Sequence, residues 1–156
     1  VIDTSRTSTA QLRGELLRLF GQEGEKGGMT VSVTSFGFKY GIPLEADLVF
    51  DVRCLPNPYY IPELRHHTGC EKCVQDYVMS FEQSQTLMEK LKDLLDFLIP
   101  LYIQEGKSRL VIAFGCTGGK HRSVTLANEL YAKLMKNHSV ILSHNDIEKD
   151  SKTKRL

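Results

Sequence analysis

Apolar side chains recur along this chain with two different periods, and the alternation of the two sets the expected architecture. The β-branched, alternating stretch 30–36 predicts a strand, and the short apolar runs Leu48 to Val52, Leu110 to Phe114 and Val140 to Leu142 predict three more. Between them the spacing is helical. Residues 71–104 read as mostly helix, with Met88, Leu91, Leu95, Leu98 and Tyr102 on one face and Pro100 expected to kink or split the helix near its end. Val124, Ala127, Leu130, Tyr131 and Leu134 mark a second helix. Gly37 to Glu45, with Pro43, predicts a loop; Arg53 to Thr68, with Pro56, Pro58 and Pro62, predicts an ordered but irregular one. Strands alternating with helices predict an α/β fold, a small mainly parallel sheet of about four strands flanked by helices. Ligands of such sheets bind beyond the carboxyl ends of the strands, so the loops after Phe36, Val52 and Phe114 are expected on one edge.

The amino-terminal region has a different texture. Val1 to Ser5 reads as the end of a strand and a turn, and Leu12, Leu16, Leu19 and Phe20 recur at helical spacing behind N-cap candidates Thr7, Ser8 and Thr9. Residues 21–28 then hold four glycines with charges between them, a linker signal. The expected division is 1–28 as the tail of an upstream domain plus linker, and 29–156 as the main body. Residues 144–156 are polar and expected to fray. No internal repeat is visible.

Composition narrows the class. The 156 residues carry 20 Lys+Arg against 19 Asp+Glu, a formal charge of +1, with 41% hydrophobic residues; this excludes whole-chain disorder and a grossly basic nucleic-acid binder. No apolar run approaches the ~20 residues a bilayer span needs, Leu94 to Ile103 being interrupted by Asp96 and Pro100, so no membrane partner is expected. No secretory signal follows Val1, and the cysteines at 54, 70, 73 and 116 are too few and uneven for a disulfide scaffold. The expected compartment is the reducing cytoplasm.

The densest chemistry lies in Gly115-Cys116-Thr117-Gly118-Gly119-Lys120-His121-Arg122-Ser123, a glycine-rich turn from strand to helix. Glycines let the backbone turn and present N–H groups, the helix start favours negative charge, and Lys120, His121 and Arg122 add donors. This is the pattern of a phosphate cradle; a tight turn with incidental basic residues is the plain alternative. The loop is not a Walker A motif, because His121 follows the lysine. Cys116, five residues, then Arg122 and Ser123 also matches the loop of cysteine-dependent phosphatases, in which a thiolate attacks phosphorus and the arginine holds the oxygens. Those enzymes usually have His where Gly115 stands, and no segment announces their aspartic general acid.

Three segments taken in order carry a more specific likeness. Ser35-Phe36-Gly37-Phe38-Lys39-Tyr40-Gly41, Asp51-Val52-Arg53-Cys54-Leu55-Pro56-Asn57-Pro58 and the 115–123 loop, together with Arg65, Thr68-Gly69 and His144, closely resemble the RapZ/YvcJ family over roughly residues 29–149. Val1 to Ser5 resembles the end of that family's N-terminal P-loop domain. The resemblance implies a nucleotide-binding regulatory protein whose upstream domain binds ATP or GTP, with no cofactor in this chain. In the RNase adapter members the C-terminal domain binds small RNAs and senses glucosamine-6-phosphate; other members are nucleotide-binding proteins linked to cell-envelope metabolism. Carried over, Thr117, Gly118, Gly119, Lys120, His121, Arg122 and Ser123 hold the phosphate, and Asp51, Arg53 and Arg65 line the same pocket. A structural ion pair bracing the proline-rich loop is the alternative for Asp51 and Arg53. The expected partners are a phosphorylated amino sugar, small RNA, and a ribonuclease or other regulatory protein, with a homo-oligomer in the full-length protein.

Departures qualify the inheritance. Adapter members carry His where Tyr59 stands. Their terminal segment is richer in arginine; here Asn145 and Asp150 occupy positions expected to be basic, and Lys149, Lys152, Lys154 and Arg155 are offset by Asp146, Glu148 and Asp150. Those four basic residues are the RNA-contact candidates, against the alternative of a solvated polar tail. Cys70-Glu71-Lys72-Cys73 follows His66 and His67, with Cys54 as a conceivable fourth zinc ligand. A second Cys-x2-Cys is absent, so structural cysteines and no metal are the expectation. Phe36, Phe38 and Tyr40 are expected to pack rather than stack on bases.

Overall fold

Long uninterrupted apolar runs belong in the middle of a parallel sheet, and alternating ones at its edges. The computed structural model, which describes residues 29–148, follows that rule at Leu110 to Phe114 but reverses it at the alternating stretch 30–36, which is central and buried, and at the apolar run from Leu48, which lies at an edge. The strand, helix and linker expected over 1–28 and the basic tail over 149–156 lie outside the described residues. Strand β1 (Thr30–Gly37) and strand β3 (Arg109–Cys116) are buried along all but their first residue. Strand β2 (Leu48–Asp51) and strand β4 (Ser139–His144) vary between half-buried and exposed positions. The order is β2-β3-β1-β4, every pairing parallel, so the sheet is α/β in type.

Among the described residues three helices flank it: α1 (Lys72–Met79), α2 (Glu82–Glu105) and α3 (Arg122–Leu134). The core joins Val31, Val33, Ile112 and Phe114 of the sheet to Leu91, Leu95 and Ile99 of α2 and Leu126, Leu130 and Leu134 of α3. Each such side chain contributes about 1.5–3 kcal/mol by leaving water.

The helical region divides elsewhere than expected. Pro100 does not split α2, which runs through it to Glu105 and ends on the left-handed cap Gly106 (φ 98°). Pro100 and Asp96 are both exposed, so the Asp96 carbonyl, which has no N–H partner in the helix, faces water. The break comes at Ser80–Phe81, where the Ser80 hydroxyl donates to the Tyr77 carbonyl at 2.7 Å and Phe81 adopts an extended conformation (ψ 140°). The buried stripe of α2 is Ser84, Met88, Leu91, Leu95 and Ile99; Leu98 and Tyr102 are only half-buried.

The parallel arrangement brings the carboxyl ends of β1, β2 and β3 to one edge. Chain 53–71 contains no α-helix, only a short 3-10 turn at Pro58–Tyr60 capped by the Asn57 side chain, which accepts from the Tyr59 N–H at 3.1 Å.

Candidate anion-binding site

At the carboxyl edge the three loops are stitched to one another by backbone. The Lys39 N–H, just past β1, donates to the Thr117 carbonyl past β3 at 3.3 Å; Val52 N–H, at the end of β2, donates to the Gly115 carbonyl at 2.9 Å; Gly69 N–H donates to the Lys120 carbonyl at 2.9 Å. Beyond β4, the Asp146 carboxylate accepts from the Gly37 N–H at 2.8 Å. Thus the glycine-rich loop is clamped from three sides.

Between these loops lies a cavity of about 410 Å³. Its walls include Cys116, Thr117, Gly118, Lys120, His121 and Arg122 of the expected loop, and Arg65 of the proline-rich segment. They also include Tyr59, the position at which adapter members carry His, and Lys39, Asn57 and Tyr60, which sequence reasoning did not assign to the site. Lys39 could have been found from position: it stands in the first loop past β1, on the edge where the other loops converge. No carboxylate lines the cavity among the described residues, while Lys39, Arg65, Lys120 and Arg122 all do.

The three consecutive basic residues are buried, at 8% exposure for Lys120, 6% for His121 and 5% for Arg122. Arg122 opens α3, so its stem is fixed by the helix. Its Nη1 donates to the Arg53 carbonyl at 2.8 Å and the Leu55 carbonyl at 3.2 Å, and its Nε is buried without a hydrogen-bond partner. A buried donor left unpaired costs about 1–3 kcal/mol, more on a charged group, unless a ligand takes it. His121 Nε2 lies 3.1 Å from the Arg65 carbonyl, and a carbonyl only accepts, so this nitrogen carries a proton. Burial chiefly pushes the His121 pKa down, with the Lys120 and Arg122 charges adding to it and the Arg65 and His67 backbone opposing.

Arg65 is braced by Tyr59: its Nε donates to the Tyr59 carbonyl at 2.9 Å and its guanidinium lies 5.0 Å from the ring centre. Asp51 and Arg53 are placed differently from the loop residues. They form a forked pair, Arg53 Nη2 to Asp51 Oδ2 at 2.7 Å and Nε to Oδ1 at 3.0 Å, and neither lines the cavity. The Arg53 hydrogen bonds hold the Asp51 carboxyl below the usual range, and Asp51 raises Arg53 in turn. Arg53 also sits over the Phe38 ring at 4.2 Å. Ser123 is fully buried and faces Cys116, Oγ to Sγ at 3.1 Å, behind the loop.

Gly119 is in the left-handed region (φ 73°), and a Cβ there would lie 2.6 Å from the Gly37 nitrogen. Its glycine is thus demanded by the backbone of β1, not only by a ligand. Among cysteines and potential metal ligands, His67, Glu71 and Cys73 come together, whereas Cys54 and Cys70 are not part of that group. The Glu71 carboxyl is held low first by the Thr68 N–H and then by His67. No helix among the described residues is long and apolar enough to cross a membrane.

Known proteins extend this picture. Residues 29–148 match the RapZ C-terminal domain family. A nucleotide-binding protein of Clostridium kluyveri is 53% identical over 154 residues, covering 97% of this chain and 53% of the relative. One from Acetivibrio thermocellus is 53% identical over 156 residues, covering 99% and 54%, and one from Thermoanaerobacter sp. is 57% identical over 148 residues, covering 94% and 52%. The chain therefore spans about half the length of the curated relatives it matches. Through the match over 29–148, the chain belongs to the RapZ C-terminal domain family.

Proposed function

We propose that this chain is the sensing half of a RapZ-like nucleotide-binding regulatory protein, and that its cavity takes a phosphorylated amino sugar such as glucosamine-6-phosphate. The observation that carries this is the lining: four cationic side chains and a buried, unpaired Arg122 Nε around about 410 Å³, with no carboxylate in the wall. A phosphate there gains charge-assisted hydrogen bonds and the positive end of α3. Asn57, Tyr59 and Tyr60 offer amide and hydroxyl groups on stiff side chains for the sugar. ATP or GTP belongs to the upstream domain. A small-RNA contact through Lys149, Lys152, Lys154 and Arg155, and a ribonuclease or other protein partner, complete the adapter reading; the cytoplasm is the compartment it requires. Thermal denaturation with glucosamine-6-phosphate, glucosamine and inorganic phosphate tests the ligand. The phosphosugar should raise the midpoint most and glucosamine least; equal shifts from both sugars contradict the reading.

A second reading has its own observation. Cys116 and Arg122, the pair of the cysteine-phosphatase loop, both line the cavity. Against it, Cys116 is 3% exposed and the lining offers no carboxylate to protonate a leaving group. Phosphate release from glucosamine-6-phosphate that disappears in Cys116→Ser would favour the enzyme; binding unchanged within about threefold by that substitution, with no release, favours the sensor, since about 0.7 kcal/mol covers the removal of one thiol from the wall.

A further inference from the structure

We propose that His67, Glu71 and Cys73 form a binding site for one zinc-type divalent cation at the start of α1. The site is separate from the anion cavity, and the proposal stands whether or not the cavity takes a phosphosugar. A ring nitrogen, a carboxylate oxygen and a thiol sulfur lie within 4.8 Å of one another, all on exposed side chains. Tetrahedral bonds of about 2.0–2.3 Å put donor atoms roughly 3.3–3.7 Å apart, so closing the triad takes side-chain movement of about an ångström. His67 and Glu71 are nearly there: Nδ1 and Oε1 are 2.8 Å apart and share a hydrogen, whose place the cation takes as the ring goes to the tautomer with its proton on the solvent-exposed Nε2, the Nδ1 proton passing to water.

The backbone that carries the triad is fixed before any cation arrives. Gly69 is buried, and a Cβ on it would lie 2.5 Å from the His121 carbonyl oxygen. Its N–H donates to the Lys120 carbonyl at 2.9 Å, and its own carbonyl accepts from Gln75 Nε2 at 2.8 Å and Asn128 Nδ2 at 3.0 Å. Glu71 is the N-cap of α1, and its Oε2 accepts from the Thr68 N–H at 3.0 Å, which orients the carboxylate while Oε1 stays with His67. Donor chemistry selects the metal. Mixed nitrogen, oxygen and thiolate ligands suit zinc better than the oxygen-seeking magnesium or calcium. The charges also close: a dication with one thiolate and one carboxylate is neutral, so it sits beside the cationic Lys120 without repulsion from it. Three protein ligands leave the fourth position to water or another donor.

The test uses the full chain with zinc in competition with a chromophoric chelator, and cobalt(II) as a spectroscopic probe. One zinc per chain is expected, and cobalt should give a thiolate charge-transfer band in the near ultraviolet. Cys73→Ser should remove the band, and Cys73→Ser or His67→Ala should weaken zinc by at least about tenfold, whereas Cys70→Ser and Cys54→Ser leave both within about threefold. Because the three side chains are exposed, these variants should fold, which circular dichroism checks. A band that survives in Cys73→Ser, a band absent from Cys70→Ser, or no competition with the chelator by any form of the chain overturns the proposal.

Discussion

Gly119 and Gly37 occupy space that only two glycines can share: a Cβ on Gly119 would lie 2.6 Å from the Gly37 nitrogen, and one on Gly37 would lie 2.6 Å from the Gly118 carbonyl carbon. The phosphate-type loop is therefore seated on the end of β1, and its shape is a property of the fold. Gly119→Ala should destabilise the protein by at least about 2 kcal/mol, since it combines a strained φ with a backbone clash. Gly37→Ala should cost a similar amount with no φ strain. Thermal denaturation reads both; a midpoint unchanged in either variant contradicts the close seating.

Acid should destabilise the fold through His121, which is buried, and His144, which is half-buried. His144 Nδ1 is 2.7 Å from Ser35 Oγ, its Nε2 is buried without a partner, and burial pushes its pKa down, as it chiefly does for His121. A folded-state value below the unfolded ~6.5 means the unfolded chain binds protons first. The stability from these neutral rings is full above about pH 6.5 and is lost as pH falls from there through the lowered values. Midpoints measured between pH 8 and pH 5 should decline on the acid side, and His144→Gln, which cannot titrate, should flatten the decline. An identical slope in parent and variant would remove His144 as a cause.

The Asp51–Arg53 pair predicts a small number. Both side chains are 48% exposed, so screening leaves the pair worth no more than the scatter of a denaturation measurement despite its forked geometry. Asp51→Asn should move chemical-denaturation stability by no more than that. Arg53→Ala should weaken anion binding less than Arg122→Ala, because its side chain pairs outside the cavity wall. A larger effect from Arg53→Ala would mean that the pair opens to meet the ligand.

If the tail contacts RNA, the contact is ionic. Neutralising Lys149, Lys152, Lys154 and Arg155 together should reduce the salt dependence of binding, by about 0.7 in logarithmic slope for each single-strand phosphate that the tail pairs with. An unchanged slope in a salt titration places RNA elsewhere.

What could be read from the sequence and what could not divides along physical lines. β1 declared itself a strand by alternation and β3 by a short apolar run, but Ser32, Thr34 and Ser35 gave no sign that both faces of β1 are buried; the loop from Gly115 to Ser123 declared itself by residue type. The helix break escaped because Ser80–Phe81 carries no proline or glycine; it rests on one side-chain hydrogen bond and one extended residue, while Pro100, the visible signal, sits on a solvent face where its missing bond is tolerated. Tyr60 in the cavity wall escaped because its role depends on how distant loops meet. The burial of Lys120, His121 and Arg122 could not be read either, since basic residues in a loop ordinarily face water.

The most direct test of the central claim is calorimetric titration of the parent chain and Arg122→Ala with glucosamine-6-phosphate, with unphosphorylated glucosamine as the control. Hydrogen bonds to charged groups are worth about 1.5–3 kcal/mol, so Arg122→Ala should weaken the phosphosugar roughly ten- to two-hundredfold, and glucosamine should bind far more weakly than its phosphate. Equal affinity for the two sugars, or an Arg122→Ala chain that binds like the parent, would show that the loop is a turn and not an anion site.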